Sequence, residues 1–509
     1  MKNDASVRLG TDGISLDDVF AVMDGAPAVL DDGAIEEIRR ARQRVDDIVA
    51  QEAPVYGVNT GFGRLADVHV PVERLAELQE NLVVSHAAGV GLPMPVAVVR
   101  AMMFLRVATF ARGLSGPRLE TVHALLALLE KEILPVIPWQ GSVGASGDLA
   151  PLAHLACALI GRGQVRVGGG PLVPARDALS EAGLDVVRLE AKEGLALTNG
   201  TQAMTAAGCE GLRRAEHIAK VADVVCAMTV DALLGTDAAF DARIHAARNH
   251  PGQVETADVI RGLLAESPLR DSHRDCGKVQ DAYSLRCAPQ VHGAVKDTLA
   301  HVRTVLAREI NAVTDNPLIF ADAVLSGGNF HGAPVAAVLD FLAISMTDLA
   351  SISERRIERM VNPDLSEGLS PFLVRDSGVN SGFMLSHVTA AALVAESRVL
   401  SHPASVDSIS TSAGQEDHVS MGLHAARKAL EVVTNVERVV AIELMAACQA
   451  LDLRGPLTTS SPLEAVHRHV RSQVPHWDRD REAAPDIETI TEIVRGQDIL
   501  QLAGLEGTP

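Results

Sequence analysis

Long runs of apolar residues at helical spacing constrain the fold of this chain more than any other feature. Between residues 424 and 450, apolar side chains recur every three to four positions, at Ala426, Leu430, Val433, Val436, Val440 and Leu444. This spacing is typical of a buried helical face. Val432 and Val439 add apolar surface on another side, so the helix is expected to lie inside a bundle. Similar patterns cover roughly 93–131, 148–161, 200–228, 292–312, 333–361 and 380–402.

Strand signals are sparse by comparison. Residues 163–174 indicate a short hairpin with a glycine turn. Aromatic residues make up only 3% of the chain, and small or straight side chains favour closely packed helices. The sequence therefore predicts a mainly α-helical protein. It divides into a more varied N-terminal part over 1–215 and a helical bundle over 216–509 that ends in a polar tail.

Charge and composition exclude several classes of partner. The chain has 509 residues and a formal net charge of −20, which argues against binding nucleic acid or an anionic membrane. No uncharged apolar run reaches the roughly 18 residues of a membrane span. Residues 1–10 lack the apolar core of a secretion signal. The six cysteines are scattered, without zinc-site spacing. We therefore expect a cytoplasmic protein without a metal site.

The triplet Ala145-Ser146-Gly147, within the glycine-rich stretch 141–154, has an unusual chemical potential. The amide nitrogen of Gly147, which has no Cβ in the way, can attack the carbonyl carbon of Ala145 and close a five-membered ring. Loss of two waters, one of them carrying the Ser146 hydroxyl, leaves a conjugated imidazolone with an exocyclic methylene. Such a group accepts electrons from an amine, which no unmodified side chain does. The alternative is an ordinary turn before a helix, with Asp148 at its N-cap.

The two tyrosines of the chain, Tyr56 and Tyr283, both lie in motifs without a helical stripe. Tyr56 begins a segment with three glycines over 56–63, which predicts a loop that opens and closes. Tyr283 lies between Gln280 and Arg286 at spacings of three, so the three share a face if the segment is helical. Arginine binds a carboxylate through two parallel hydrogen bonds, although a surface ion pair is its commoner role.

Residues 141–154 resemble the cofactor loop of the histidine and aromatic amino acid ammonia-lyases. Members of that family carry the ring described above, called MIO (4-methylidene-imidazole-5-one). Four further segments, 56–63, 193–202, 280–290 and 327–332, are similar to active-site motifs of the same family, and the resemblance covers most of residues 50–425. It implies a long-helix bundle of the fumarase/aspartase-like type. It also implies a homotetramer whose active sites draw residues from three subunits.

The resemblance also implies roles for individual residues. MIO is expected to form from Ala145, Ser146 and Gly147, with no external cofactor. Tyr56 matches the general base, and Arg286 matches the residue that holds the substrate carboxylate. The residues expected to line and support the MIO are Asn199, Gln280, Tyr283 and Phe330. Outside the family context, Asn199 would be interpreted as a helix cap and Phe330 as a packing residue.

Three positions bear on the choice of substrate. Histidine lyases of this family have Ser-His where this chain has Ser85-His86, and a glutamate where it has Glu416. Met384 matches a position that contacts the substrate ring. A carboxylate and a histidine can hydrogen-bond the polar atoms of an imidazole. A phenyl ring would leave the carboxylate and the histidine unpaired, at a cost of about 1–3 kcal/mol each.

The resemblance therefore implies elimination of ammonia from L-histidine to give trans-urocanate. The departures from the family pattern are Thr198, Ser386-His387 and Gly414, which affect the expected specificity rather than the reaction class. Two alternatives stay open: a MIO-dependent lyase or 2,3-aminomutase acting on phenylalanine or tyrosine, and an inactive helical scaffold. A fumarase-like lyase is disfavoured because its serine-rich signature loop was not found.

Overall fold

The computed structural model describes residues 6–51, 54–65, 67–274 and 276–505; the first five residues of the N-terminal stretch considered above lie outside this range. The fold is mainly α-helical, as predicted. In chain order the α-helices are α1 Leu16–Met23, α2 Asp32–Ala50, α3 Leu75–His86, α4 Val96–Ala111, α5 Leu119–Glu130, α6 Leu149–Leu159, α7 Ala175–Glu181, α8 Glu193–Thr198, α9 Gln202–Ala232, α10 Ala242–Arg248, α11 Pro251–Leu263, α12 Pro268–Ser272, α13 Tyr283–Arg286, α14 Ala288–Glu309, α15 Ala333–Val361, α16 Met384–Leu400, α17 Gly422–Leu453, α18 Ser461–Gln473, α19 Ala484–Arg495 and α20 Asp498–Leu502.

The strands are short and form four small sheets. They are β1 Val7–Leu9, β2 Ala28–Leu30, β3 Val90–Pro93, β4 Ile133–Pro135, β5 Pro138–Gln140, β6 Gln164–Val167, β7 Leu172–Pro174, β8 Leu318–Ile319 and β9 Val324–Leu325. Strands β1 and β2 pair in parallel, whereas β3 with β5, β4 with β6, β6 with β7, and β8 with β9 pair antiparallel. The pairing of β6 with β7 confirms the hairpin predicted over 163–174.

The long helices largely follow the predicted apolar patterns. The pattern at 424–450 lies within α17, where Val433, Val436, Val440 and Leu444 are 0% exposed, as expected for the inside of a bundle. The pattern at 93–131 instead contains two helices, α4 and α5. Gly113 and Gly116 adopt left-handed φ angles of 68° and 75° between them, which breaks the helical run.

Helix α15 is long and apolar enough to span a membrane by length and composition. However, 67% of its most apolar window is buried within the protein. This burial is typical of a core helix rather than of one whose surface faces lipid.

The chain forms two compact units, each assembled from several segments. The first comprises 1–211, 303–340 and 403–427, and the second comprises 212–302, 341–402 and 428–509. All of the strands given above belong to the first unit, whose mixed character contrasts with the helical second unit. The division of the sequence at residue 215 stays a prediction, because the two units alternate along the chain.

Within the first unit, helices α3, α6 and α8 pack against one another. Helix α3 ends at His86, α6 begins just after the Ala145-Ser146-Gly147 triplet, and α8 ends just before Asn199. The packing of these three helices therefore gathers three of the predicted motifs at one place.

Candidate active site

A cavity of about 840 Å³ opens in the first unit where these helix ends meet. It is lined by seven of the residues predicted from the sequence: Tyr56, His86, Ala145, Ser146, Asn199, Phe330 and Glu416. Gly147, the third member of the triplet, follows Ser146 directly and is itself buried. The structure thus brings together motifs that are distant in sequence.

The triplet lies in a tight turn. The amide of Gly147 donates to the carbonyl of Gly144 at 3.2 Å, and Ala145 and Ser146 are the central residues between them. Ser146 adopts a left-handed φ of 50°, a conformation that is costly for a residue with a Cβ and that clusters at functional sites. The turn bends the backbone back on itself, as ring closure between Ala145 and Gly147 requires.

The backbone of a second segment presses against Gly147. The carbonyl of Gly200 accepts from the amide of Asp148 at 2.6 Å, and the amide of Gly200 donates to the carbonyl of Ser146 at 3.4 Å. A Cβ added at Gly147 would lie 2.1 Å from the Gly200 oxygen. Only glycine fits at this position. Cyclisation favours glycine here as well, because a residue without a Cβ leaves its amide nitrogen free to attack. The residues present therefore fit a MIO at the start of α6.

Asn199 is the C-cap residue of α8, so it caps the end of a helix rather than the helix start that Asn-Gly before an apolar run indicates. Its Nδ2 donates to the carbonyl of Asn316 at 2.9 Å and to Asp315 Oδ1 at 3.4 Å. Its Oδ1 is buried and meets no hydrogen-bond donor among the residues that the structure describes. Because buried polar atoms are normally paired, this oxygen is available for a donor in the cavity.

A buried ion pair lies beside Asn199, because Asp315, which Asn199 bonds, also pairs with Lys192. Sequence reasoning did not predict this pair. Lys192 Nζ lies 2.8 Å from Asp315 Oδ2, and both side chains are 0% exposed. Burial lowers the pKa of Lys192, against the opposing effect of the Asp315 carboxylate. Arg106, also fully buried, donates to the carbonyl of Asn199 at 2.7 Å, and burial lowers its pKa to about 10. The two partners of this ion pair are far apart in the chain, so no local sequence signal reveals it.

Asp148 is the N-cap residue of α6, as predicted, but its side chain makes no cap hydrogen bond to that helix. Its Oδ2 instead accepts from the amide of Met204, in the first turn of α9, at 2.8 Å. A carboxyl at a helix N-terminus is favourable because of the helix dipole. Complete burial nevertheless raises the pKa of Asp148 to about 7.

Glu416 lines the cavity from a separate segment of the chain and contacts the triplet. Its Oε1 accepts from Ser146 Oγ at 3.4 Å, and its Oε2 accepts from Thr411 Oγ1 at 2.8 Å. The intervening turn is exposed and strained, since Ser412 and Ala413 have left-handed φ angles of 51° and 54°.

The remaining polar groups at the rim come from α3 and two loops. His86 Nδ1 lies 2.8 Å from the carbonyl of Leu82, which only accepts, so this nitrogen carries a proton. The Tyr56 hydroxyl accepts from the amide of Gly63 at 3.4 Å, within the glycine-rich loop. Two histidines that sequence reasoning did not single out, His331 and His418, stack at 5.8 Å and also line the cavity.

Four predicted site residues belong to the second unit and do not line this cavity: Gln280, Tyr283, Arg286 and Met384. Helix α13 contains only Tyr283 to Arg286, so Gln280 precedes it and the predicted shared helical face holds for the other two alone. The Arg286 guanidinium lies 4.5 Å from the centre of the Tyr283 ring, and Tyr283 is 70% exposed. His387, one of the departures from the family pattern, bonds Glu354 at 2.7 Å.

Similarity to known proteins extends over almost the whole chain. Residues 14–472 match the family described as aromatic amino acid lyase. A histidine ammonia-lyase of Anaeromyxobacter dehalogenans (strain 2CP-C) is 53% identical over 500 residues, covering 96% of this chain and 98% of the relative. The solved histidine ammonia-lyase from Trypanosoma cruzi superposes with a TM-score of 0.91 at 45% identity, covering 98% of this chain and 95% of that one.

A tyrosine aminomutase from Streptomyces globisporus shares the same fold, with a TM-score of 0.93 at 38% identity and 99% coverage of both chains. The mainly helical lyase fold implied by the resemblance is therefore confirmed. The chain belongs to the aromatic amino acid lyase family.

Proposed function

We propose that this protein is a histidine ammonia-lyase, which eliminates ammonia from L-histidine to give trans-urocanate. The observation that carries the proposal is the cavity in which His86 and Glu416 face the same space as the Ala145-Ser146 turn. The relative from Anaeromyxobacter, itself a histidine ammonia-lyase, is 53% identical, whereas the tyrosine aminomutase is 38% identical. Both the polar character of the site and the pattern of identity favour histidine over phenylalanine or tyrosine.

A MIO formed from Ala145, Ser146 and Gly147 would supply the electrophile that withdraws electrons from the substrate amino group. Asn199 Oδ1, buried without a donor among the described residues, accepts a hydrogen bond from an N–H group at this position. Phe330 lines the same cavity and contributes an apolar side chain there. No metal ion or external cofactor is required in this scheme.

The other residues bind the substrate and move its proton. Tyr56 removes a proton from the β-carbon, and its position on a glycine-rich loop lets it approach after the substrate has entered. His86 and Glu416 hydrogen-bond the imidazole ring. Because the imidazole carries polar atoms that a phenyl ring lacks, these two side chains discriminate between the substrates.

We further propose that the protein is a cytoplasmic homotetramer in which other subunits supply Gln280, Tyr283, Arg286 and Met384. The support is that these residues lie in the second unit and that Tyr283 is 70% exposed in the single chain, although tyrosine is usually more buried. In that arrangement Arg286 binds the substrate carboxylate. Light scattering of the purified protein measures the oligomeric state directly.

The test of the function is an absorbance assay for urocanate with purified protein, L-histidine and no added cofactor. Wild type is expected to release urocanate and ammonia in equal amounts, and Ser146→Ala to release none. The same assay with phenylalanine and tyrosine, with β-amino acids also measured, identifies the lyase or aminomutase alternative. Near-normal urocanate formation by Ser146→Ala would refute the assignment.

A further inference from the structure

The side chain of Glu416 is bonded to the serine that must lose its hydroxyl. Ser146 Oγ donates to Glu416 Oε1 at 3.4 Å, and this is the hydrogen bond that the described part of the chain provides for that hydroxyl. Binding of a substrate imidazole does not account for this contact, since substrate would meet the mature group. The contact therefore bears on how the group forms.

Backbone hydrogen bonds fix the shape of the Glu416 segment and connect it to the residue two positions before the triplet. Thr411 and Glu416 exchange a pair of backbone hydrogen bonds, of 2.9 and 3.3 Å, and Thr411 Oγ1 fixes the second carboxylate oxygen at 2.8 Å. At the other end of the segment, the amide of Met421 donates to the carbonyl of Val143 at 2.9 Å. The carboxylate is thus oriented by groups that exist before any substrate binds.

We propose that Glu416 is the acid–base group that dehydrates Ser146 during formation of the MIO, a role that rests on the proposed function and precedes it. Once the ring has closed, the Cα proton of Ser146 is flanked by an amide carbonyl and a C=N bond, which make it acidic. A carboxylate already bonded to the neighbouring Oγ is placed to take up that proton and to return it to the departing oxygen.

The step is balanced without any further reactant. The Glu416 carboxylate accepts the proton from Cα of Ser146, and the electron pair of the Cα–H bond becomes the second bond between Cα and Cβ. The Cβ–Oγ bond breaks, and the proton passes from the Glu416 carboxyl to the departing oxygen, which leaves as water. Glu416 is thereby regenerated.

This order of events gives one carboxylate two successive tasks. When Oγ leaves, Glu416 Oε1 loses its hydrogen-bond donor, while Oε2 keeps Thr411. The freed oxygen is then available to the imidazole N–H of a substrate. Substitution of Glu416 is therefore expected to lower activity for two separable reasons, so activity alone does not test the proposal.

The experiment follows the mass of the peptide that contains residues 141–154 over time during cell-free synthesis. Wild type is expected to lose two waters. Glu416→Gln keeps the size of the side chain but not its basicity, and the second water should be lost roughly 100-fold more slowly, in line with removal of a general acid–base group. Thr411→Val, which leaves the carboxylate but removes its anchor, should fall between the two.

Asp417→Asn is the matched control, because Asp417 is an exposed acidic neighbour that lines the same cavity. It should mature as fast as wild type, and circular dichroism should show that all four proteins fold alike. If Glu416→Gln and Thr411→Val both lose two waters at the wild-type rate, the proposal is overturned. If wild type itself retains both waters, the proposed function fails instead, so the two failures are distinguishable.

Discussion

The two sides of the cavity are built on opposite principles. The side that holds Asn199 is a buried network in which Lys192 and Asp315 are 0% exposed and a fully buried arginine bonds the Asn199 backbone. The side that holds Glu416 consists of exposed turns with left-handed backbone angles. The Asn199 side therefore depends on buried charges that cannot lose a partner without a large cost in stability, whereas the Glu416 side depends on hydrogen bonds of turns that lie near solvent.

The largest expected effect comes from breaking the buried ion pair between Lys192 and Asp315. Lys192→Met leaves the Asp315 carboxylate buried without its partner, and we expect a loss of about 3–5 kcal/mol in the free energy of unfolding. Urea unfolding followed by circular dichroism measures it. Removing both charges, in Lys192→Met with Asp315→Leu, should recover part of the loss.

Lys131→Met provides a comparison at an exposed lysine of the first unit and should change stability by less than about 0.5 kcal/mol. If Lys192→Met lowers the free energy of unfolding no more than Lys131→Met does, the buried ion pair does not stabilise this side of the cavity as described above.

A smaller effect is expected at the rim. His86→Leu removes a polar partner of the imidazole without burying a charge. It should lower kcat/KM for histidine roughly 5- to 150-fold, which corresponds to a loss of about 1–3 kcal/mol in transition-state stabilisation. Stability should hardly change, and the ratio of phenylalanine to histidine turnover should rise. Steady-state kinetics with both substrates measure this, with His123→Leu as the reference, because His123 is exposed and does not line the cavity. An unchanged substrate ratio would contradict the assignment of His86.

The last effect concerns a single titrating group and depends on pH. Burial raises the folded-state pKa of Asp148 to about 7, above its ordinary value of 3.8. The folded protein therefore binds this proton more tightly than the unfolded chain, so its contribution to stability is present below the ordinary value and is lost as pH rises towards 7. Wild type should lose up to about 1.4 kcal/mol per pH unit in that window relative to Asp148→Asn.

The relative stabilities of the two proteins, measured by urea unfolding between pH 4.5 and pH 7 (roughly the window set by the raised pKa), provide the check. Asparagine can still accept from the Met204 amide, so the cap on α9 is retained. Parallel pH profiles for wild type and variant would show that Asp148 does not titrate as proposed.

Sequence reasoning succeeded where a local pattern determines the outcome. The apolar repeat of α17 and the hairpin of β6 and β7 depend on residues close together in the chain, and both are confirmed. Grouping of Tyr56, His86, Ser146, Asn199 and Glu416 around one cavity came from the family resemblance, because no periodicity reports which distant loops meet.

Other features were not accessible from the sequence. The partnership of Lys192 with Asp315 joins residues far apart in the chain, and neither has a local signature that distinguishes it from a surface charge. Asn316 accepts a hydrogen bond from Asn199 through its backbone carbonyl. A backbone group carries no residue-specific signal, so its role appears only when the fold is known.

The contact between Gly147 and the Gly200 carbonyl bears on protein engineering. A Cβ at Gly147 would lie 2.1 Å from that oxygen, so the shape of the turn depends on the backbone at Gly200, which lies outside the triplet. Grafting Ala-Ser-Gly alone into a foreign scaffold should leave the serine unreacted. The transferable unit is a pair of segments, and a designer would have to transplant both, in register, to obtain a self-made electrophile.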